Sequence, residues 1–238
     1  MNEESYVVKF LGIPFNITNV VSGLIAMVIV FCLVWFLSRN LALRPKGKQN
    51  VLEWIIDFTN GIVSTNVPGE QGKRFNLLAF VLFLFIFVAN QMGLLVQVII
   101  GGKTLIKSPT ADPMVTMSLA LLVLLVSHYF GVMIFGFKGY LVNSYMRPVS
   151  FMLPINVLEE FTNFLTLAFR LYGNIFAGEV LLTLIGGVAK SHGLVTTIVA
   201  LPLEMIWQGF SIFIGSIQAY VFVTLSMVYI SKKVEVEE

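Results

Sequence analysis

The stretch LAFRLYGNIFAGE, from Leu167 to Glu179, places an arginine and a glutamate inside a long apolar run. Arg170 lies about 20 residues into that run, near the middle of a bilayer if the segment is a spanning helix. An arginine at that depth costs roughly 2.5–3.5 kcal/mol on insertion scales. Both ends of the run are too far away for its side chain to reach the membrane surface. We therefore expect Arg170 to have a functional role.

The composition indicates an integral membrane protein. Of the 238 residues, 57% are hydrophobic and 12% are charged, whereas soluble domains carry roughly 25% charged residues. The mean hydropathy is +0.88. The net charge of +2 is small and the basic residues are spread over loops, so no nucleic-acid partner is expected. The single cysteine, Cys32, supports neither a disulfide framework nor a cysteine-based metal site, and we expect no cofactor.

The apolar runs predict an all-α integral membrane fold in one membrane domain. A membrane-crossing helix needs about 20 mostly apolar residues. We predict five such helices, at residues 18–38, 75–100, 113–137, 148–188 and 194–231. The last two are nearly twice as long as a crossing requires, and a short turn at Ala189–Gly193 joins them. We therefore expect them to form a long, steeply tilted helical hairpin.

One segment, residues 50–66, has a different pattern. Its polar residues recur at i, i+4, i+7 and i+11, while apolar residues fill most of the remaining wheel. The polar positions are Glu53, Asp57, Asn60 and Ser64. This spacing predicts an amphipathic helix that lies in the membrane interface. A re-entrant segment or a loosely ordered loop is the alternative.

Lysine and arginine are concentrated on one side of the predicted crossings. That side carries Arg39, Arg44, Lys46, Lys48, Lys73, Arg74, Lys138, Arg147, Lys232 and Lys233, and the other side carries Lys9, Lys103, Lys107 and Lys190. Cytoplasmic loops are enriched in these residues. Five crossings then place the N-terminus outside and the C-terminus in the cytoplasm.

A polar stripe follows Arg170 along the fourth predicted crossing. At 100° per residue, four polar side chains fall within about 40° of it: Glu159, Asn163, Thr166 and Asn174. Glu160 lies beside this stripe. Glu179 is nine residues beyond Arg170, so it points to roughly the opposite face and lies about 13 Å closer to the outside.

The fifth predicted crossing has its own polar face, on which Glu204, Ser211 and Gln218 lie within about 40° of one another. Residues at similar distances from a hairpin turn are level with each other. If the two helices curve, we expect Gln218 to face Arg170 and to accept a hydrogen bond from its guanidinium. Ordinary hydrogen bonding between helices is the alternative reading of Ser211 and Gln218.

In the two predicted crossings, carboxylates lie on both sides of Arg170, which is a permanent cation. Glu159 and Glu160 approach from the inside, and Glu179 and Glu204 from the outside. Carboxylates gain and lose protons, whereas arginine effectively cannot release one. Two polar half-paths separated by Arg170 would let protons reach mid-membrane from either side without passing straight through. This chain offers no second titratable group at that depth, so we expect another subunit to carry the proton between the half-paths.

Three motifs resemble subunit a of the bacterial F-type ATP synthase: LAFRLYGNIFAGE, LPINVLEEF at Leu153–Phe161, and IQAYVFVTLSMVYIS at Ile217–Ser231. The resemblance covers essentially the whole chain. It implies a stator subunit of the plasma membrane whose hairpin packs against a rotating ring of c subunits. It also implies a b-subunit peripheral stalk as partner, an indirect link to the catalytic head, and no nucleotide catalysis in this chain.

The resemblance also implies roles for single residues. Arg170 matches the essential arginine, which attracts the ionised carboxylate of each passing c subunit, and Asn174, Glu179 and Gln218 match further polar positions of the family. Some relatives carry a histidine at the position of Ser211, so an imidazole relay is not expected here. We expect His128 and His192 to be structural.

Three other classes of protein remain to be weighed. A proton-coupled secondary transporter would use Arg170 as a midplane anion site, but such proteins usually show internal repeats and broken helices, which are not evident here. A scaffold would use the polar stripe only to pack helices. An autonomous enzyme is disfavoured, because the sequence has neither a GxxxxGK[ST] phosphate loop nor an HExxH-type metal site.

Overall fold

The computed structural model describes residues 7–10, 13–39, 42–43, 47–95, 98–100, 103–146, 150–189 and 194–234. In these ranges the chain forms six α-helices and two short antiparallel β-hairpins. The helices are α1 (Ile17–Ser38), α2 (Lys48–Asn66), α3 (Asn76–Leu95), α4 (Pro113–Leu141), α5 (Leu153–Ala189) and α6 (Leu194–Val234). The hairpins pair β1 (Val7–Phe10) with β2 (Ile13–Asn16), and β3 (Val98–Ile100) with β4 (Lys103–Ile106).

Five helical segments among the described residues are long and apolar enough to cross a membrane. They are Ile17–Ser38, Gly72–Gly93, Pro113–Met146, Leu153–Val188 and Thr196–Val234. The prediction of an all-α membrane fold with five crossing helices is confirmed, and the chain is a multi-pass membrane protein.

The two longest helices lie side by side. α5 has 37 residues and α6 has 41, which at 1.5 Å per residue gives lengths of about 55 and 60 Å. Neither helix is ended by its prolines, since Pro154 occupies the first turn of α5 and Pro202 lies inside α6. The predicted turn between them includes residues 190–193, which lie outside the described part of the chain.

Helix α6 contributes one full face to the protein core. Its buried residues recur at intervals of three and four, the period of a helix with one buried stripe: Ala219, Phe222, Val223, Ser226, Met227 and Ile230. Leu167 and Leu171 of α5 and Ile86 of α3 belong to the same apolar cluster. This packing holds the half of the hairpin that lies away from the predicted turn against α3 and α4.

Helix α2 occupies the segment predicted to be interfacial. Leu52, Ile62 and Val63 are buried against the core, whereas Asp57 is exposed and Trp54 is 66% exposed. The helix therefore packs one side against the protein and presents a mixed polar and aromatic side outward.

Four predicted segments differ from the observed helices by three residues or more. Helix α4 continues to Leu141, four residues beyond the predicted limit, and helix α5 begins at Leu153, five residues after the predicted start. Helix α3 ends at Leu95, and the last residues of the predicted 75–100 segment form β3 instead. Three β-branched residues followed by Gly-Gly are a hairpin signal, which a count of apolar residues does not separate from a helix. Helix α6 also continues three residues beyond the predicted limit, to Val234.

Helix α4 is broken at Gly136, whose φ of 67° and ψ of 163° lie outside the helical region. That region of backbone conformation is essentially restricted to glycine. Beyond the break the chain folds back, so that Tyr140 Oη lies 2.6 Å from Nδ1 of His128. In a continuous helix, residues 12 positions apart would be separated by about 18 Å. The break therefore brings two distant parts of α4 together.

Candidate functional site

Arg170 lies on the open face of α5. Arg170 and its neighbour Phe169 are exposed, whereas Leu167 and Leu171 are buried in the core. Among the described residues, no carboxylate lies within 4.0 Å of its guanidinium. The cation therefore faces outward from an apolar helix without an acidic partner from the described chain.

The predicted polar stripe lies on this same face. Glu159, Thr166 and Asn174 are exposed and Asn163 is half-buried. Large apolar side chains flank the stripe and are also exposed, among them Phe161 and Phe176. The face is therefore mostly apolar, with a single line of polar groups that passes through Arg170.

Asn174 joins the two hairpin helices. Its Nδ2 donates a 2.7 Å hydrogen bond to Oε1 of Gln218. Gln218 is 3% exposed, and its Nε2 has no hydrogen-bond partner in the described structure. The expectation that Gln218 would bond Arg170 is not met: its oxygen accepts from Asn174, one helical turn beyond the arginine. Ser211 is similarly buried, and its Oγ has no described partner.

A cavity of about 100 Å³ lies at the start of the stripe, and we call it the inner cavity after the predicted inner half-path. It is lined by α4, α5 and α6, and its polar lining consists of Ser127, Ser144, Asn156, Glu159, Glu160, Asn163, Tyr229, Lys232 and Lys233. Glu159 accepts a 2.8 Å bond from Nζ of Lys232. The inner cavity thus brings together three of the residues predicted for the inner half-path, while Thr166 lies outside its lining.

A second cavity of about 200 Å³, here called the outer cavity after the predicted outer half-path, lies on the other side of Arg170 along the hairpin. Its lining includes Asn174 and Gly178 of α5 and Trp207 and Ser211 of α6. Glu204 is partly exposed on α6 and does not contribute to this lining. Arg170 lies between the two cavities in sequence along α5, seven residues after Asn163 and four before Asn174.

Glu179 points away from the open face, towards the interior between α3 and the loop that follows β4. A Cβ placed on Gly93 would lie 2.7 Å from Glu179 Oε1 and would also collide with Ser108. The glycine is therefore required for the close approach of α3, this loop and the Glu179 carboxylate.

A buried polar network lies beside Glu179, and it was not foreseen from the sequence. Ser108 Oγ donates to the carbonyl of Ala89 and lies 2.8 Å from Thr110 Oγ1, which donates to Oδ1 of Asn90. Asn90 Nδ2 in turn donates to the carbonyl of Gly215 on α6. The adjacent Asn-Gln pair inside an apolar run was the available signal, because buried amides need partners.

The network continues towards the N-terminal end of α1. Gln91 Nε2 bonds the Ile212 carbonyl at 3.2 Å and Ser216 Oγ at 3.1 Å. The backbone N–H of Lys107 donates to Ser22 Oγ, and Asn19 donates to the Asp112 carboxylate. Polar groups therefore extend from the N-terminal ends of α1 and α4 to α6, beside the outer cavity.

A second unforeseen group, here called the inner cluster, consists of His128, Tyr140, Tyr145, Glu160 and Lys233. Glu160 Oε1 lies 2.9 Å from Nε2 of His128, and its Oε2 accepts from Tyr145 Oη at 2.5 Å and from Lys233 Nζ at 3.2 Å. Three helices and the short π-helical segment after α4, Val142–Met146, therefore meet at one carboxylate. His192 lies outside the described residues.

The sequence of this chain can now be compared with those of known proteins. The family model described as ATP synthase A chain matches residues 20–231. A protein of Pediococcus pentosaceus called ATP synthase subunit a is 58% identical over 229 residues, which cover 96% of each chain. Proteins of the same name from Enterococcus hirae and Listeria monocytogenes are 55% and 47% identical, with complete coverage of both chains. The chain therefore belongs to the ATP synthase A chain family.

Proposed function

We propose that this chain is the stator subunit of a rotary ATP synthase in the plasma membrane. It provides two offset half-channels for protons, separated by Arg170, and couples proton movement to rotation of a c-subunit ring and to ATP synthesis. The family match and the name shared by the full-length relatives support this proposal. Nucleotide chemistry belongs to the catalytic head, to which this chain is linked only indirectly.

The observation that carries the proposal is the position of Arg170. It is exposed on a largely apolar face, between two cavities, with no acidic partner in the described chain. An unpaired guanidinium in lipid would be costly, so a carboxylate from outside the chain is the fitting partner. A c-subunit carboxylate that passes along this face would be ionised beside Arg170 and protonated elsewhere.

The energies agree with this role. A proton that falls through about 150 mV releases roughly 3.5 kcal/mol, at 2.3 kcal/mol per 100 mV. That energy can bias the movement of a charge beside Arg170. It is too small to draw a bare carboxylate through hydrocarbon, where the effective penalty is several kcal/mol. The ring carboxylate should therefore lose its proton only next to the arginine.

The inner half-channel would begin at the inner cavity, with Glu159, Glu160, Asn163 and Thr166 leading towards Arg170. The outer half-channel would use Glu204, Glu179, Ser211, Gln218 and Asn174. Its carboxylate Glu179 points into the protein interior, beside the polar network of Asn90 and Ser108, which supports access through the bundle.

The distribution of basic residues supports an orientation with the N-terminus outside and the C-terminus in the cytoplasm. The inner cavity then opens towards the cytoplasm, and a b-subunit stalk would hold this chain against the catalytic head. The exposed apolar faces of the crossing helices would contact lipid or these partners.

Cysteine labelling tests the two half-channels. In a Cys32→Ser background, Asn163→Cys samples the inner cavity and Leu181→Cys samples the outer one. A membrane-impermeant thiol reagent should label Asn163→Cys in inverted vesicles only and Leu181→Cys in right-side-out vesicles only. Labelling of both positions from the same side would overturn the arrangement.

A further inference from the structure

The inner cavity contains two carboxylates, and each of them is paired with an ammonium group from α6. Glu159 Oε1 lies 2.8 Å from Nζ of Lys232, and Glu160 Oε2 lies 3.2 Å from Nζ of Lys233. Among the described residues, the charged part of the cavity lining consists of these four side chains. The cavity lining therefore carries no net charge, although it contains two anions.

The two pairs differ in their exposure. The side chains of Glu159 and Lys232 are each 52% exposed, whereas those of Glu160 and Lys233 are each 15% exposed. Both lysines lie in the last turn of α6, where the helix dipole favours cations. One ammonium group is therefore open to solvent, and the other is set into the cavity wall.

The rest of the polar lining would suit a metal cation. Carboxylate, amide and hydroxyl oxygens are the ligands that hard metal cations prefer. Besides the two carboxylates, the cavity presents such oxygens from Ser127, Ser144, Asn156, Asn163 and Tyr229. Each carboxylate, however, already bonds an ammonium group. The lysines therefore occupy positions on the carboxylates that a metal cation would take.

We propose that Lys232 and Lys233 are specificity-determining residues of the inner half-channel, which keep metal cations out of the inner cavity and leave it open to protons. The inference rests on the proposed function. A metal cation would have to displace an ammonium group that is tethered to α6, and it would add a positive charge to a neutral cavity. A proton needs no such site, because it moves between water and hydrogen-bonding groups one bond at a time.

The position of the cavity makes this exclusion important for proton movement. Asn163 lines the cavity and lies seven residues before Arg170 on α5, which is about two helical turns. A metal cation in the cavity would be stopped there by the fixed positive charge of Arg170. It would then occupy the route by which protons pass between the inner side and the polar stripe.

Lys232 is the residue to change first, because an exposed ion pair contributes little to stability. Lys232→Gln removes the positive charge and leaves Glu159 without its cation, whereas Lys232→Arg keeps the charge. The double variant Glu159→Gln/Lys232→Gln removes both charges and restores the balance. The matched control is Lys73→Gln, which removes a lysine from an exposed ion pair outside the cavity lining.

The assay is ATP-driven proton pumping by the purified complex in phosphatidylcholine liposomes, with the same salt on both sides of the membrane. Na⁺ is the metal cation tested, and it replaces the bulky organic cation N-methylglucamine stepwise at constant ionic strength. The measured quantity is the pumping rate in Na⁺ divided by the rate of the same variant in N-methylglucamine. This ratio cancels any general effect of a substitution on assembly or turnover.

The ratio for Lys232→Gln should fall as Na⁺ is raised. It should reach one half at a Na⁺ concentration at least about tenfold lower than for wild type, the scale of a partly screened unit charge several Å away. Lys232→Arg and Lys73→Gln should follow wild type. The double variant should lose most of the Na⁺ sensitivity of Lys232→Gln, because its cavity is again neutral.

The same Na⁺ dependence in Lys232→Gln and in wild type would overturn the proposal. Equal Na⁺ sensitivity of Lys232→Arg and Lys232→Gln would also overturn it, since the charge would then not be the cause. Lys232→Met gives the same test if Lys232→Gln does not assemble. Arg170→Ala is measured in parallel, and its normal pumping would refute the proposed function. An inactive Arg170→Ala, together with equal Na⁺ dependence of the lysine variants and wild type, would refute only the role of the lysines.

Discussion

Asn174 on α5 donates a 2.7 Å hydrogen bond to Gln218 on α6, one helical turn beyond Arg170. The bond ties the hairpin together at the edge of the outer cavity, where Asn174 is also a lining residue. It leaves Arg170 free of an amide partner in the described structure. Arg170 is exposed on α5, four residues before the helix position that forms this bond.

The Asn174–Gln218 bond predicts a measurable coupling between the two side chains. Gln218→Leu and Asn174→Leu should each slow ATP-driven pumping. The double variant should be less impaired than the product of the two effects, because the bond is lost only once. The coupling should correspond to about 1 kcal/mol, the usual value of such a bond. If the pumping rate of the double variant equals the product of the two single effects, the bond does not matter for function.

Gly93 should not accept a larger residue. Gly93→Ala would place a methyl group against Ser108 and 2.7 Å from Glu179 Oε1, so either the loop or the carboxylate must move. Pumping, measured at equal amounts of assembled complex, should fall at least severalfold. The matched control is Gly61→Ala on α2, where no atom lies within 4 Å of the added Cβ and alanine favours the helix. Equal activity of the two variants would contradict the described packing of Glu179.

The broken helix α4 predicts a stability difference between two nearby glycines. Gly136→Ala forces a non-glycine residue into a positive-φ conformation and should cost about 1–3 kcal/mol, seen as a lower midpoint of thermal dissociation of the purified complex. Gly139→Ala meets only a side-chain contact at 3.4 Å and should change the midpoint little. A continuous helix through position 136 would instead make Gly136→Ala stabilising.

The two inner ion pairs should differ in their contribution to stability. Lys233→Gln leaves the largely buried Glu160 without its cation and should lower the stability by about 3 kcal/mol. Lys232→Gln breaks an exposed pair and should cost at most about 1 kcal/mol. Thermal dissociation of the two variants, compared with wild type in the same buffer, measures the difference. Equal midpoints would mean that His128 and Tyr145 alone hold Glu160.

The features that could be predicted from the sequence are those that depend on the local period of a helix. The polar stripe around Arg170 follows from 100° per residue, and the length of α5 and α6 follows from the lack of breakers, so both were accessible without a structure. The role of Gly136 was not, because a glycine within an apolar helix gives no sign of its φ angle. The contact between His128 and Tyr140 depends on that break.

The remaining differences arise from tertiary packing. The network of Asn90, Ser108 and Thr110 forms only when α3, the loop after β4 and α6 meet, and no spacing within one element predicts it. Gln218 was expected to meet Arg170 because the two residues are at similar distances from the turn. The observed pairing with Asn174 depends on how the helices pack together.

Proton pumping by Arg170→Ala tests the central claim most directly. The assembled complex is placed in inverted vesicles, ATP is added, and acidification of the vesicle interior is compared with wild type and with the exposed control Glu70→Gln. The account predicts no acidification for Arg170→Ala and for Arg170→Lys, because a compact ammonium can lose its proton when desolvated, and normal acidification for the control. Normal pumping by Arg170→Ala would contradict the account and would mean that the exposed arginine is not the barrier between the two half-channels.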